Sequence, residues 1–241
     1  MVRLSFATAC LVVIATSLCA TTLSEGKVAS NAVVSGQITQ SDDVKQLLSV
    51  VLAETEDFWG AVFKADGLKY EEPKLVLFTG VIATACGPAS GTSYCERDHR
   101  IYLDPAFPEL RKIGLIGDFG KALILAREVG HHVQNISEAP RPLATADSKD
   151  TATLRSQRVE LQADCFAGLW TRYVQEQHLL DDADLTEARD LLRSLGDDQA
   201  ANASKDPKAK SYGTSEQRVR WYDRGLAGKA IADCNISNNP L

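Results

Sequence analysis

The stretches KALILAREVGHHVQNI, residues 121–136, and VELQADC, residues 159–165, decide how the rest of this chain is read. In the first, Leu123, Ile124, Ala126, Val129, Gly130 and Val133 recur at helical spacing. Arg127 and His131 stand four residues apart within it, so their side chains leave the same face one turn apart. The second stretch belongs to the longest helix pattern, Thr151 to Gln177, whose apolar positions are Leu154, Leu161, Cys165, Phe166, Leu169, Trp170 and Tyr173. Glu160 and Asp164 repeat the four-residue spacing there. Two apolar helices that each carry a charged pair on one face are where chemistry is expected.

Working outward, Ser41-Asp42-Asp43 caps a helix whose stripe runs Val44, Leu47, Leu48, Val51, Leu52, Phe58, Trp59, Val62 and Phe63, and which Gly67 can end. Lys74 to Thr79 and Arg100 to Leu103 read as short strands. Between them lies a Gly/Ser/Pro loop holding Cys86 and Cys95. Pro108 opens a helical region weakened by Gly114, Gly117 and Gly120. Residues 137–150 and 202–211 read as polar connections, Asp184 to Ser194 as a short helix, and Ser215 to Leu226 as a last amphipathic one. The expected fold class is α+β, mainly helical with a small β-sheet, in one domain spanning 41–241.

Composition limits the function. The 241 residues are 44% hydrophobic and 24% charged, ordinary globular usage that excludes a wholly disordered chain, a collagen-like repeat and a coiled coil. The formal net charge is −6 and no Lys/Arg block occurs, which excludes a nucleic-acid partner of the usual basic kind. Four histidines leave few candidate imidazoles for a metal.

The first twenty residues read as a secretory signal: Arg3, an apolar run from Leu4 to Ile14, then small residues ending near Cys19-Ala20. The run is shorter than the ~20 residues a membrane span needs, so cleavage is expected, with a membrane anchor only if the signal is retained. Residues 21–40 read as a flexible linker. The expected location is secreted, periplasmic or cell-surface. Four cysteines lie beyond the signal, an even count that suggests two disulfides in an oxidising compartment and allows three pairings. Cys86 and Cys95 are close in the chain and flank a Gly/Ser loop. Cys165 lies on the Glu160 helix and Cys234 near the C-terminus. The predicted pairs are 86–95 and 165–234.

A helix bearing His-Glu-x-x-His places two imidazoles one turn apart for zinc, and the intervening Glu acts on the metal-bound water. In zinc peptidases of the thermolysin-like clan, to which these spacings are similar, a later helix supplies a third ligand as the Glu of Glu-x-x-x-Asp, whose Asp orients a ligand histidine. Glu128, His131, Glu160 and Asp164 stand at these spacings. Arg127 occupies the first-histidine position.

The wider chain resembles the neutral zinc metallopeptidase family of exported or membrane-anchored bacterial proteins. The matching segments are Ala85-Cys86-Gly87, Tyr94-Cys95, Ile101-Tyr102-Leu103-Asp104, Glu128 to Gln134, Val159 to Cys165, Gly213-Thr214-Ser215 and Gln217 to Trp221, in order from about residue 40 onward. The resemblance implies a zincin-like scaffold of the thermolysin clan. It also implies zinc as cofactor if the site functions, with His131 and Glu160 as ligands, Glu128 as general base and Asp164 behind a ligand. The chain departs from the family pattern at Arg127 and at Tyr212, which stands where the family has a histidine before Gly-Thr-Ser. A guanidinium has no lone pair for a metal, and two protein ligands are fewer than a zinc site takes.

Each residue keeps a second reading. Glu128 is the retained base or a partner of Arg127; His131 is a ligand or a hydrogen-bonded buried histidine. Glu160 and Asp164 are ligand and orienting carboxylate, or acceptors for Arg127. Tyr212 is a donor to a substrate oxyanion, and so a catalytic candidate, or a packed aromatic. His132 points about 100° around the helix and is a poor substitute ligand. His99 and His178 read as surface residues. Without a metal three carboxylates would repel one another, and the planar five-donor fork of Arg127 can take the metal's place among them. The first function this supports is an exported pseudo-peptidase that binds peptide or protein in the old cleft. An active zinc metallopeptidase and a structural or interaction protein are the alternatives.

Overall fold

The first helix, α1 (Gln40–Ala65), follows from a stripe that buries Val44, Leu48, Val51, Thr55, Trp59 and Phe63 at three- and four-residue steps. Asp42 and Asp43 lie in its first turn and Lys64 in its last, each favourable to the helix dipole. It ends where Gly67 turns to φ 72° and the Leu68 amide donates back to the Phe63 carbonyl. The computed structural model describes residues 40–107, 117–137, 152–199 and 211–236. The segments read as a signal (1–20) and a linker (21–40) lie outside these residues, apart from Gln40. So do 108–116, 138–150 and most of 202–211.

Five short strands follow: β1 (Lys74–Leu77), β2 (Val81–Thr84), β3 (Gly87–Ser90), β4 (Thr92–Cys95) and β5 (Arg100–Leu103). β5 is central in a three-stranded sheet ordered β1-β5-β4, parallel to β1 and antiparallel to β4. Its Ile101, Tyr102 and Leu103 are all buried, as a strand covered on both faces requires. β2 and β3 form a separate antiparallel pair. The segment read as a loop between two strands is thus itself mostly strand. Its Gly, Ser and Thr residues show no apolar alternation, and pairing together with the Cys86–Cys95 disulfide holds it.

Among the described residues, helices α2 (Asp118–Ile136), α3 (Ala152–Glu176), α4 (Asp182–Ser194) and α5 (Ser215–Ala227) follow, with a 3₁₀ turn at Ile231–Cys234. Asp181 and Asp184 close a capping box on α4, and Thr214 and Gln217 one on α5. The architecture is α+β and mainly helical, as expected. The Cys165–Cys234 disulfide ties the C-terminal turn to α3, in the predicted pairing. Closing so long a loop stabilises by about 2–4 kcal/mol.

Close helix approach positions the site. At Gly130 a Cβ would stand 3.2 Å from the Ala163 carbonyl, so α2 lies against α3 at the level of Arg127, His131, Glu160 and Asp164. α3 and α5 make the most extensive helix contact, through Gly168 and Gly225. A Cβ on Gly225 would fall 1.9 Å from the Cys165 carbonyl oxygen. Helix propensity alone favours Gly225→Ala by about 0.5–1 kcal/mol. The clash is with backbone that cannot swing aside, so overpacking of about 3 kcal/mol should win. Urea unfolding should show a net loss; a more stable variant would mean that the helices are not this close.

Candidate functional site

Four side chains from α2 and α3 meet with one from α5. Arg127 donates from Nε to Asp164 Oδ1 and from Nη2 to Glu160 Oε2, the latter at 3.1 Å. Arg218, on α5, grips the same aspartate with both arms: Nε to Oδ2 at 3.0 Å and Nη2 to Oδ1 at 3.0 Å. Its third nitrogen donates to the Leu195 carbonyl at 3.1 Å. His131 Nε2 lies 3.4 Å from Glu160 Oε2. Arg127, Glu160, Asp164 and Arg218 are all buried, Asp164 and Glu160 at 0% and 1% exposure. Charges this deep are tolerated only when paired and hydrogen-bonded.

The electrostatics follow from this packing. Burial opposes the Arg127 charge, but Asp164, Glu160 and Glu128 outweigh it and hold its pKa above the ordinary value. Burial also works against a charged His131. The charge and hydrogen bond of Glu160 and the charge of Glu128 overcome that, despite Arg127, so its pKa is raised. Glu128 is 6% exposed and acts on both neighbours through its charge, yet no hydrogen bond or ion pair joins it to Arg127. The reading of Glu128 as a direct partner of Arg127 therefore finds no contact behind it.

His132 is anchored elsewhere. Its Nε2–H donates to the Glu71 carbonyl and its Nδ1 accepts from the Tyr94 hydroxyl at 3.0 Å, while Asn135 donates to Tyr94 Oη at 3.0 Å. Burial lowers its pKa. It fastens β4 to α2. His99 packs against its ring and pairs with Glu71 at 3.3 Å. Tyr212 is 39% exposed; its amide and that of Gly213 donate to Asp197 Oδ2, and Gly213 presses on Leu161. That places the Tyr212 backbone beside α3, next to the site helix.

Arg218 meets the site carboxylate Asp164, and Gln134 and Gln162 form a hydrogen-bonded pair behind His131; sequence reasoning missed all three. Arg218 carried a signal: with Trp221, Tyr222 and Gly225 it forms the buried stripe of α5, and an arginine in such a stripe calls for an internal carboxylate. Gln134 and Gln162 sit within the quoted motifs but offered no charge to attract notice.

A family model described as "putative neutral zinc metallopeptidase" matches residues 4–237. The chain belongs to this family. The uncharacterized protein YpfJ of Escherichia coli is 38% identical over 205 residues, covering 80% of this chain and 71% of that protein. The uncharacterized protein Rv2575 of Mycobacterium tuberculosis is 31% identical over 214 residues, again covering 80% and 71%. No solved structure gives a significant match.

Family membership implies zinc, and the donor set here does not fit it. The guanidinium at position 127 offers no lone pair and stands 3.1 Å from the carboxylate oxygen of Glu160 that also meets His131. A cation placed there would face a fixed positive charge and find two ligands where three are needed. Among the described residues, no three His, Cys, Asp or Glu side chains come together so as to hold a metal ion.

Proposed function

We propose that this chain is an exported pseudo-peptidase: a neutral zinc metallopeptidase family member that keeps a zincin-like scaffold, has lost the zinc chemistry and binds peptide or protein in the inherited cleft. The observation that carries this reading is the double engagement of Arg127 with Glu160 and Asp164, which fills the ligand positions with a guanidinium. Charge favours it: Arg127 supplies a fixed positive charge among Asp164, Glu160 and Glu128, whose carboxylates would otherwise repel one another. The two disulfides and the signal-like pattern at 1–20 support export. No described helix is long and apolar enough to cross a membrane.

The test is zinc content by elemental analysis, with peptide hydrolysis measured on the same sample. The expected result is well under one zinc per chain and no cleavage, with retained binding of members of a mixed synthetic peptide pool. Tight stoichiometric zinc would overturn the proposal in favour of an active peptidase with Glu128 as base. Failure to bind any peptide would favour a structural role.

A further inference from the structure

We infer that Gln134 and Gln162 are positioning residues for His131: they fix its ring so that Nδ1 carries a hydrogen and Nε2 alone faces Glu160. His131 Nδ1 lies 2.9 Å from Gln134 Oε1. Which end of a glutamine amide is oxygen has to be settled by its partners, and here they leave one answer. Gln134 Nε2 has two carbonyl-type acceptors, Val159 O at 2.8 Å and Gln162 Oε1 at 2.9 Å. Turning the amide over would set oxygen against oxygen at both. The orientation of Gln162 is fixed in turn, because its Nε2 donates to the Cys234 carbonyl at 3.1 Å. An oxygen therefore faces His131 Nδ1, and only an N–H can satisfy that contact.

The chain of donors runs one way, from His131 through Gln134 and Gln162 to the backbone of Cys234. Gln134 and Gln162 are 6% and 1% exposed, so water does not compete for these groups. The terminal carbonyl belongs to a cysteine bridged to Cys165, one turn along α3 from Gln162. The bridge holds the last acceptor in place against the helix that carries Glu160. The consequence for the site is specific. Nδ1 is committed to the interior of the fold, and any group that engages His131 meets Nε2 beside Glu160 Oε2. This rests on hydrogen-bond geometry and not on the loss of hydrolysis. Zinc content decides the pseudo-peptidase reading, and the state of one ring nitrogen decides this one.

The experiment is long-range proton–nitrogen NMR of the histidine rings in the full folded chain. The His131 signals are assigned by their absence in His131→Asn. In the wild type, Nδ1 should carry the signature of a protonated ring nitrogen hydrogen-bonded to an oxygen. Gln134→Leu removes the acceptor and should shift the Nδ1 signal and speed exchange of its hydrogen at least tenfold. Gln134→Glu keeps an acceptor oxygen while losing both donors, and should retain the wild-type signature. A purely structural role for Gln134 would lower stability in both variants and leave Nδ1 unchanged. A wild-type spectrum with a bare Nδ1, or an unchanged Nδ1 signal in folded Gln134→Leu, would overturn the inference. The wild-type measurement decides even if a variant fails to fold.

Discussion

Arg218→Ala should cost about 3–5 kcal/mol of folding stability, the scale for breaking a buried ion pair by removing one partner. The number follows from what is left behind. Asp164 is completely buried and accepts three charge-assisted hydrogen bonds, two of them from Arg218. Without Arg218, Oδ2 loses its hydrogen bond and the Leu195 carbonyl loses a donor, while a carboxylate stays inside the fold. Arg127→Ala should cost less, since Asp164 then keeps its two-armed partner and the loss falls mainly on Glu160. The order matters more than either value: position 218 should be the more sensitive, although it lies 54 residues from its partner. Urea unfolding of both variants reads the difference. Against a total of about 5–15 kcal/mol, Arg218→Ala sits near the limit of folding. Arg218→Lys, which keeps the charge and loses the fork, should fall between it and wild type. A loss below about 1 kcal/mol in Arg218→Ala would mean that the pair behaves as a solvated surface bridge.

The same residue shows where the sequence could and could not be read. Helix-borne pairs were legible because a four-residue step fixes a face: Arg127 with His131 and Glu160 with Asp164 follow from spacing alone. That the two faces meet followed from the family motif. The third wall of the site did not. Arg218 arrives from another helix, and no spacing rule reaches across a 54-residue separation. The strands between Thr84 and Cys95 were illegible for a different reason. Gly87-Pro88-Ala89-Ser90 has low strand propensity, Thr92–Cys95 is a four-residue run with no apolar alternation, and both are held by pairing and a cross-link, so local preference carried little signal. The disulfides were legible because few pairings were possible.

Arg127→His should give a chain that binds about one zinc per molecule, where the proposed pseudo-peptidase binds well under one. The substitution removes the fixed charge and restores a lone pair at the position that the His-Glu-x-x-His spacing demands. The remaining parts do not have to be rebuilt. Glu160 already stands 3.4 Å from His131 Nε2, and Arg218 holds Asp164 in place whatever occupies position 127. Three protein ligands with an open fourth position make a catalytic-type site. Zinc at a hundred times its dissociation constant should stabilise the variant by about 2.7 kcal/mol, a rise of roughly 5–10 °C in melting temperature for a domain of this size. Wild type should show no such zinc-dependent shift. Cleavage is a separate matter, because it also needs a donor for the transition-state oxyanion. If Tyr212 fills that role, Tyr212→Phe in the Arg127→His background should leave zinc affinity intact and lower any hydrolysis that appears. Calorimetric titration of both proteins settles the binding step. A folded Arg127→His variant that takes up no zinc would show that Glu160 and the restored pair do not converge, and the inherited-site reading would fail with it. Stoichiometric tight binding by the wild type would fail it from the other side, since a guanidinium held 3.1 Å from the ligand carboxylate leaves the ion no place to sit.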